Sequence, residues 1–148
     1  MIFIASDHRG FNLKQNIYKK LIEDGFEVIN LGNHHLDPND DYPDFAKSVA
    51  EAVATKPENR GILLCGTGIG VDIIANKIDG IRSALVSNVT SVKLAREHED
   101  VNVISLPAES LDDGLAWEII RTFLETPFSD KERHKRRLQK LQELEENN

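Results

Sequence analysis

The stretch Arg60-Gly61-Ile62-Leu63-Leu64-Cys65-Gly66-Thr67-Gly68-Ile69-Gly70-Val71 decides how this chain is read. Gly61 to Leu64 is a short apolar run bounded by glycine, the pattern of a buried strand. Cys65, the only cysteine, follows it, and then come glycines at 66, 68 and 70. Val71 to Lys77 reads as the opening of a helix. A glycine-rich strand-to-helix turn lets a ligand approach the backbone closely and aims several N–H groups outward. A thiol at that turn stands near a helix N-terminus, whose partial positive charge favours thiolate. One loop therefore offers a base or nucleophile together with an anion cradle. Spacing disfavours two familiar alternatives. A phosphatase-type cysteine loop needs arginine where Val71 stands. A G-x-G-x-x-G dinucleotide fingerprint would also put its third glycine at Val71, and Gly70 is out of register.

Working outward, the same alternation recurs. Upstream, Ile2 to Ala5 reads as a strand, Ser6 to Gly10 as a polar loop, and Phe11 to Asp24 as a helix stopped by Gly25. Leu13, Ile17 and Leu21 are that helix's buried stripe. Phe26 to Leu31 is a second strand, and Gly32 to Asp41 a polar loop. Pro43 fits the first turn of a helix capped near Asp41 or Tyr42, with Phe45, Val49 and Val53 facing inward. Thr55 to Arg60 reads as a solvated loop. Downstream, strands are expected at Ile81–Val86 and Val101–Leu106, and a helix capped by Asn88 between them. Ser110-Leu111-Asp112-Asp113 resembles a capping box before a helix striped by Leu115, Ile119, Ile120 and Phe123. Pro127 ends that helix, and a charged one spans Lys131 to Glu146 with Leu138, Leu141 and Leu144 on one side.

Five strands alternating with helices predict an α/β fold: a three-layer, Rossmann-like α/β/α domain on a five-stranded parallel sheet, closed by a C-terminal helix. With no repeat or linker, residues 1–148 read as a single domain. Ligands of such sheets collect at the carboxyl ends of the strands. That rule gathers Asp7-His8, Cys65–Gly70 and Pro107–Glu109 on one rim.

Composition narrows the function classes. A hydrophobic content of 40% argues against disorder. A formal net charge of -7 argues against nucleic acid as partner. One cysteine permits no internal disulfide, and the apolar start Met1–Ala5 is too short for a signal peptide. No apolar run approaches a membrane span, so a cytoplasmic location is expected.

Among the remaining candidates, Asp7-His8 gains interest from its place after the first strand. His98 reads either as a charged helix end or as a titratable group on a site. Arg133 and Arg137 lie four apart on one helix face, suited either to ion pairs with nearby glutamates or to a phosphate clamp.

Taken together, Ser6-Asp7-His8-Arg9-Gly10, Asp41-Tyr42-Pro43-Asp44, Cys65–Gly70, Ala75-Asn76-Lys77, Gly80–Ala84 and Arg133-His134 with Arg137 resemble the ribose-5-phosphate isomerase B and galactose-6-phosphate isomerase family. The resemblance implies interconversion of an aldose phosphate and its ketose, without metal or cofactor. It implies Cys65 as the base moving a proton between C1 and C2, and Thr67 assisting. The backbone N–H groups of Gly66, Gly68, Ile69 and Gly70 would hold the enediolate oxygens. His98 would open the sugar ring with Asp7 nearby. His8, Arg133 and Arg137 would hold the phosphate, and Tyr42 would line the pocket. It also implies a homodimer, or a dimer of such dimers, with each site built from both subunits.

Two positions depart from the family pattern. Glu99 stands where an asparagine contacts the sugar, and Pro107-Ala108-Glu109 where many members carry a phosphate-binding arginine. Carboxylates facing the pocket would repel a phosphate dianion. The departures suggest a divergent member acting on another sugar, or a sugar-phosphate-binding subunit without catalysis, as alternatives to ribose 5-phosphate turnover. In the plainer reading both glutamates face solvent, with Arg9 or Arg136 as the substitute cation.

Overall fold

A computed structural model describes residues 1–148. Five parallel strands form one sheet in the order β2-β1-β3-β5-β4, with β1 at Ile2–Ser6, β2 at Val28–Asn30, β3 at Arg60–Cys65, β4 at Ser83–Leu85 and β5 at Val103–Pro107. The helices are α1 (Phe11–Glu23), α2 (Tyr42–Ala54), α3 (Ile69–Ala75), α4 (Val89–Glu99), α5 (Asp113–Glu125) and α6 (Glu132–Glu146). Short 3-10 turns follow β1 at His8–Gly10 and β5 at Ala108–Ser110.

Period-two alternation along the central strands builds two cores. Ile62, Leu64, Ile104 and Leu106 face α1, α4 and α5 in one. Leu63, Cys65 and Val103 face α2 and α3 in the other. Burial on both faces explains why β3 reads as an unbroken apolar run. The direction in which strands are added to the sheet reverses between β1 and β3, since β2 lies beyond β1 and the later strands lie beyond β3. The crevice above that switch point is where such folds bind ligands.

Several boundaries differ from expectation. The edge strands β2 and β4 are three residues each, the length over which they pair with β1 and β5. Helix α3 begins at Ile69 rather than Val71, since Gly68 adopts φ 74° and starts the helix earlier. Arg60 belongs to β3, and Asn59 is buried, its side-chain amide donating to the Ala52 carbonyl and Thr55 Oγ1. The solvated loop expected over Thr55–Arg60 is thus shorter. Ser110 ends a 3-10 turn, and the cap of α5 is Asp112, whose Oδ1 accepts the Leu115 N–H at 2.8 Å. Asn88 caps α4 as expected, accepting the Ser91 N–H at 2.8 Å. No helix is long and apolar enough to cross a membrane.

Candidate active site

Cys65 ends β3, and its side chain is 5% exposed. Its Sγ accepts the Gly68 N–H at 3.0 Å, and Thr67 Oγ1 accepts the Ile69 N–H at 3.3 Å. The left-handed Gly68 turn folds the chain back over the sulfur and starts α3 at once. Thr67 and Ile69 are exposed and Gly70 is half-buried, so the loop's outer surface is open to a ligand. A Cβ at Gly70 would lie 2.7 Å from the Tyr42 ring, so Tyr42 packs directly on the turn as a wall. This is a sulfur beside backbone donors at a helix start, an arrangement suited to proton transfer next to a developing oxyanion.

The β1 loop flanks it. Asp7 is buried and accepts from the Arg9 N–H at 3.0 Å and the Gly10 N–H at 3.1 Å, so it shapes its own turn. His8 is about one-third exposed, and its ring Nδ1 lies 2.8 Å from Asp40 Oδ1. That bond raises the His8 pKa above 6.5, the charges of Asp7 and Asp40 add to it, and burial and Arg9 oppose it. Across the rim, the Arg9 guanidinium is paired with Glu109, Nε donating to Oε1 at 2.7 Å. Because β1 and β5 flank β3, this pair spans the Cys65 loop. A side chain at Gly66 would collide with the Arg9 guanidinium, so the strap lies directly on that peptide. The Glu109 N–H donates to the Gly66 carbonyl at 3.1 Å, tying the same loops through the backbone. Glu109 is therefore neither a bare carboxylate in the pocket nor a group pointing only to solvent: Arg9 neutralises it.

The remaining candidates lie elsewhere. Helix α4 descends from the end of β4 to the start of β5, so His98 and Glu99 sit at the opposite end of the strands from Cys65. The parallel rise of about 3.3 Å per residue makes that separation roughly 15 Å along β5. Arg82, just before β4, donates Nε to the Glu99 carbonyl at 3.0 Å and so marks the same end. The exposed Glu99 side chain lines a shallow apolar recess there with Leu141. The His98 ring packs against His134 at 4.4 Å between centroids, tilted by 36°. His134 is 2% exposed and its Nδ1 pairs with Ser129 Oγ at 2.5 Å. Burial, then the charges of His98, Arg133 and Arg137, pushes the His134 pKa below 6.5. Arg133 and Arg137 are exposed beside it on α6. One chain thus assembles Cys65, Thr67, Gly66–Gly70, Asp7, His8 and Tyr42 at the carboxyl ends of the strands, and His98, Glu99, Arg133 and Arg137 toward the amino ends. Arg9, Glu109 and Asp40 join the first group. Their long-range pairings leave no periodic trace in the sequence.

Residues 2–141 match the model of the Ribose/Galactose Isomerase family. The chain belongs to the ribose/galactose isomerase family. A probable ribose-5-phosphate isomerase B of Mycoplasma genitalium is 43% identical over 141 residues, 95% of this chain and 92% of that one. The crystal structure of ribose-5-phosphate isomerase B from Mycoplasma genitalium with bound ribulose-5-phosphate superimposes with a TM-score of 0.95 at 42% identity, covering 99% of this chain and 97% of that one. The Clostridium thermocellum ribose-5-phosphate isomerase B gives a TM-score of 0.93 at 43% identity, with 99% and 97% covered. Membership in the ribose/galactose isomerase family thus extends over nearly the whole chain, including both residue groups.

Proposed function

We propose that this chain is an aldose–ketose isomerase that interconverts ribose 5-phosphate and ribulose 5-phosphate by proton transfer through an enediolate. The Cys65 sulfur takes the proton from C2 of the open-chain aldose, and the C–H electron pair moves into the enediolate. The same proton, or one exchanged with solvent, is returned to C1 while the O2 hydroxyl proton passes to O1, giving the C2 carbonyl and C1 hydroxyl of the ketose. The backbone N–H groups of the Gly66–Gly70 loop that Cys65 Sγ and Thr67 Oγ1 leave free hold the developing oxyanion, and Thr67 keeps the loop in register. The observation that carries this reading is the Cys65 sulfur bonded to the Gly68 N–H at 3.0 Å at the head of α3. His8 meets the phosphate, whose remote anchoring fixes the sugar over the sulfur.

In this reading a site is completed by a second copy of the chain. The second copy's His98 opens the sugar ring, and its Arg133 and Arg137 share the phosphate. The separation of the two groups within one chain supports this, as does the apolar surface around the short edge strand β4. There Ile69, Ile73, Leu85 and Leu94 are exposed. A homodimer covering that surface removes the open edge as well. The kinship with the Mycoplasma genitalium protein solved with ribulose-5-phosphate favours a pentose phosphate.

The Arg9–Glu109 pair favours a second reading of specificity, in which the strap across the loop selects another sugar phosphate. A panel of tetrose, pentose and hexose phosphates, with the corresponding unphosphorylated sugars, separates the two. Efficient turnover of ribose 5-phosphate is expected. Turnover confined to another sugar would transfer the assignment to that sugar. Sugar-phosphate binding without any turnover would leave a binding subunit.

A further inference from the structure

Asp40 is a buried carboxylate that the proton-transfer chemistry does not use. It sits in the loop between β2 and α2, and its side chain is 6% exposed. Its Oδ1 accepts the His8 backbone N–H at 2.9 Å and lies 2.8 Å from the His8 ring Nδ1. Its Oδ2 accepts from Asn33 Nδ2 at 3.1 Å. The Asn33 carbonyl in turn accepts from Lys14 Nζ at 2.5 Å, and Lys14 is wholly buried on α1. Burial holds that ammonium at a pKa of about 8, with Asp40's charge opposing the fall. A buried carboxylate is tolerated only when its lone pairs are occupied, and here donors reach both oxygens. The buried network ends on a half-open histidine at the mouth of the Cys65 site.

We propose that Asp40 is a positioning residue that presents His8 to the anionic group of the substrate as an imidazolium, with Nδ1–H bound inward to Asp40 and Nε2–H directed outward. The proposal rests on the isomerase reading, in which that anionic group is the sugar's phosphate. With Nδ1–H held by Asp40, a neutral ring would offer only a bare Nε2 lone pair to a phosphate oxygen. The protonated ring offers a charged donor instead. Asp40 therefore sets the ring's orientation and its charge together, and Asn33 and Lys14 fix Asp40 from behind. The charged groups around His8 are Asp7 and Arg9 on its own turn, Asp40 from the loop, and Lys14 beyond Asp40. Asp7 and Asp40 favour the cation and Arg9 opposes it. The folded His8 value lies above 6.5, chiefly through the Asp40 bond. Anion binding is thus strong below the folded value and is lost as pH rises through it.

The test titrates the His8 ring resonances by NMR, identified by their absence from His8→Gln, in the full chain and in Asp40→Asn. Inorganic phosphate binding is measured in parallel from acid to alkaline pH. In Asp40→Asn the His8 midpoint is expected to fall. The dissociation constant for phosphate is expected to rise by about tenfold per unit of that fall at alkaline pH, and to approach wild type in acid. Phosphate's own ionisation cancels in the ratio. An unchanged His8 midpoint, or a loss of phosphate binding equal at every pH, overturns the proposal. Should Asp40→Asn fail to fold, the wild-type titration decides: a His8 midpoint at or below 6.5 overturns it as well. If the wild type isomerises no sugar phosphate but the titrations behave as stated, the isomerase reading fails and the Asp40–His8 device stands. If it isomerises and the titrations do not move, the reverse holds.

Discussion

At the scale of single residues, the proposed chemistry belongs to Cys65 and the tuning of the pocket to its neighbours. Cys65 is small, and its buried thiol accepts one hydrogen bond, from the Gly68 N–H, so truncation to alanine removes a single sulfur from the α2/α3-side core. Cys65→Ala is therefore expected to leave the fold intact while removing the base. A fall in turnover of at least about 10²–10⁴-fold is expected, the usual contribution of a positioned general base. Exchange of substrate C–H with solvent deuterium should fall with it, and circular dichroism should be unchanged. Full activity in that variant would remove Cys65 from the mechanism. The Arg9–Glu109 pair is half exposed on both sides, at 47% and 49%. Such pairs contribute about 0–1 kcal/mol to stability, so Glu109→Ala should hardly shift the unfolding midpoint. It would release Arg9 from the Gly66 peptide and leave an unpaired cation on the rim. A several-fold change in KM for sugar phosphates, with stability unchanged, is the expected result, and steady-state kinetics across the panel measures it. Glu109 could not be understood from sequence, because its partner lies 100 residues away. The sequence offers a carboxylate where an arginine is usual and Arg9 or Arg136 as substitute cations, and the fold brings Arg9 onto Glu109.

Elements set where those residues stand. The helix start after β3 depends on Gly68, whose φ of 74° is left-handed and whose surroundings are tight. An added Cβ would lie 2.6 Å from Leu85 Cδ1 and 3.0 Å from the Leu106 backbone carbon. Gly25 shares the left-handed geometry at φ 86° but has nothing within 4 Å. Gly25→Ala should cost about 1 kcal/mol, the backbone term alone. Gly68→Ala adds overpacking and should cost about 2–4 kcal/mol, with loss of turnover because the cradle shifts. Denaturant unfolding of both variants measures the difference, and equal costs would contradict the steric account. The elements themselves were largely legible in the chain. The apolar β3 run, the Leu13-Ile17-Leu21 stripe and the Asn88 cap all sit where the pattern puts them. What the pattern missed was decided by tertiary partners. Arg60 joins β3 because it pairs in register with Ile2, which burial periodicity cannot see. The Ser110 box lost to Asp112 because the chain first makes a 3-10 turn after β5.

The whole molecule poses the question that no single chain answers. The sheet carries its candidate groups at the two ends of its strands, because α4 must run back along the sheet to reach β5. Periodicity could place His98 at the end of a helix, and parallel topology then fixes which end of the strands that is. The sequence alone could list His98 with Cys65, but only the topology separates them. The proposed site is completed by a second copy, and mixing of inactive subunits tests that most directly. Cys65→Ala and His98→Ala chains, each inactive alone, are unfolded or dissociated, mixed in equal amounts and reassembled. Random pairing into dimers should restore about one quarter of wild-type activity, from one intact site in each mixed dimer. Mixtures that reassemble and remain inactive would contradict the shared site.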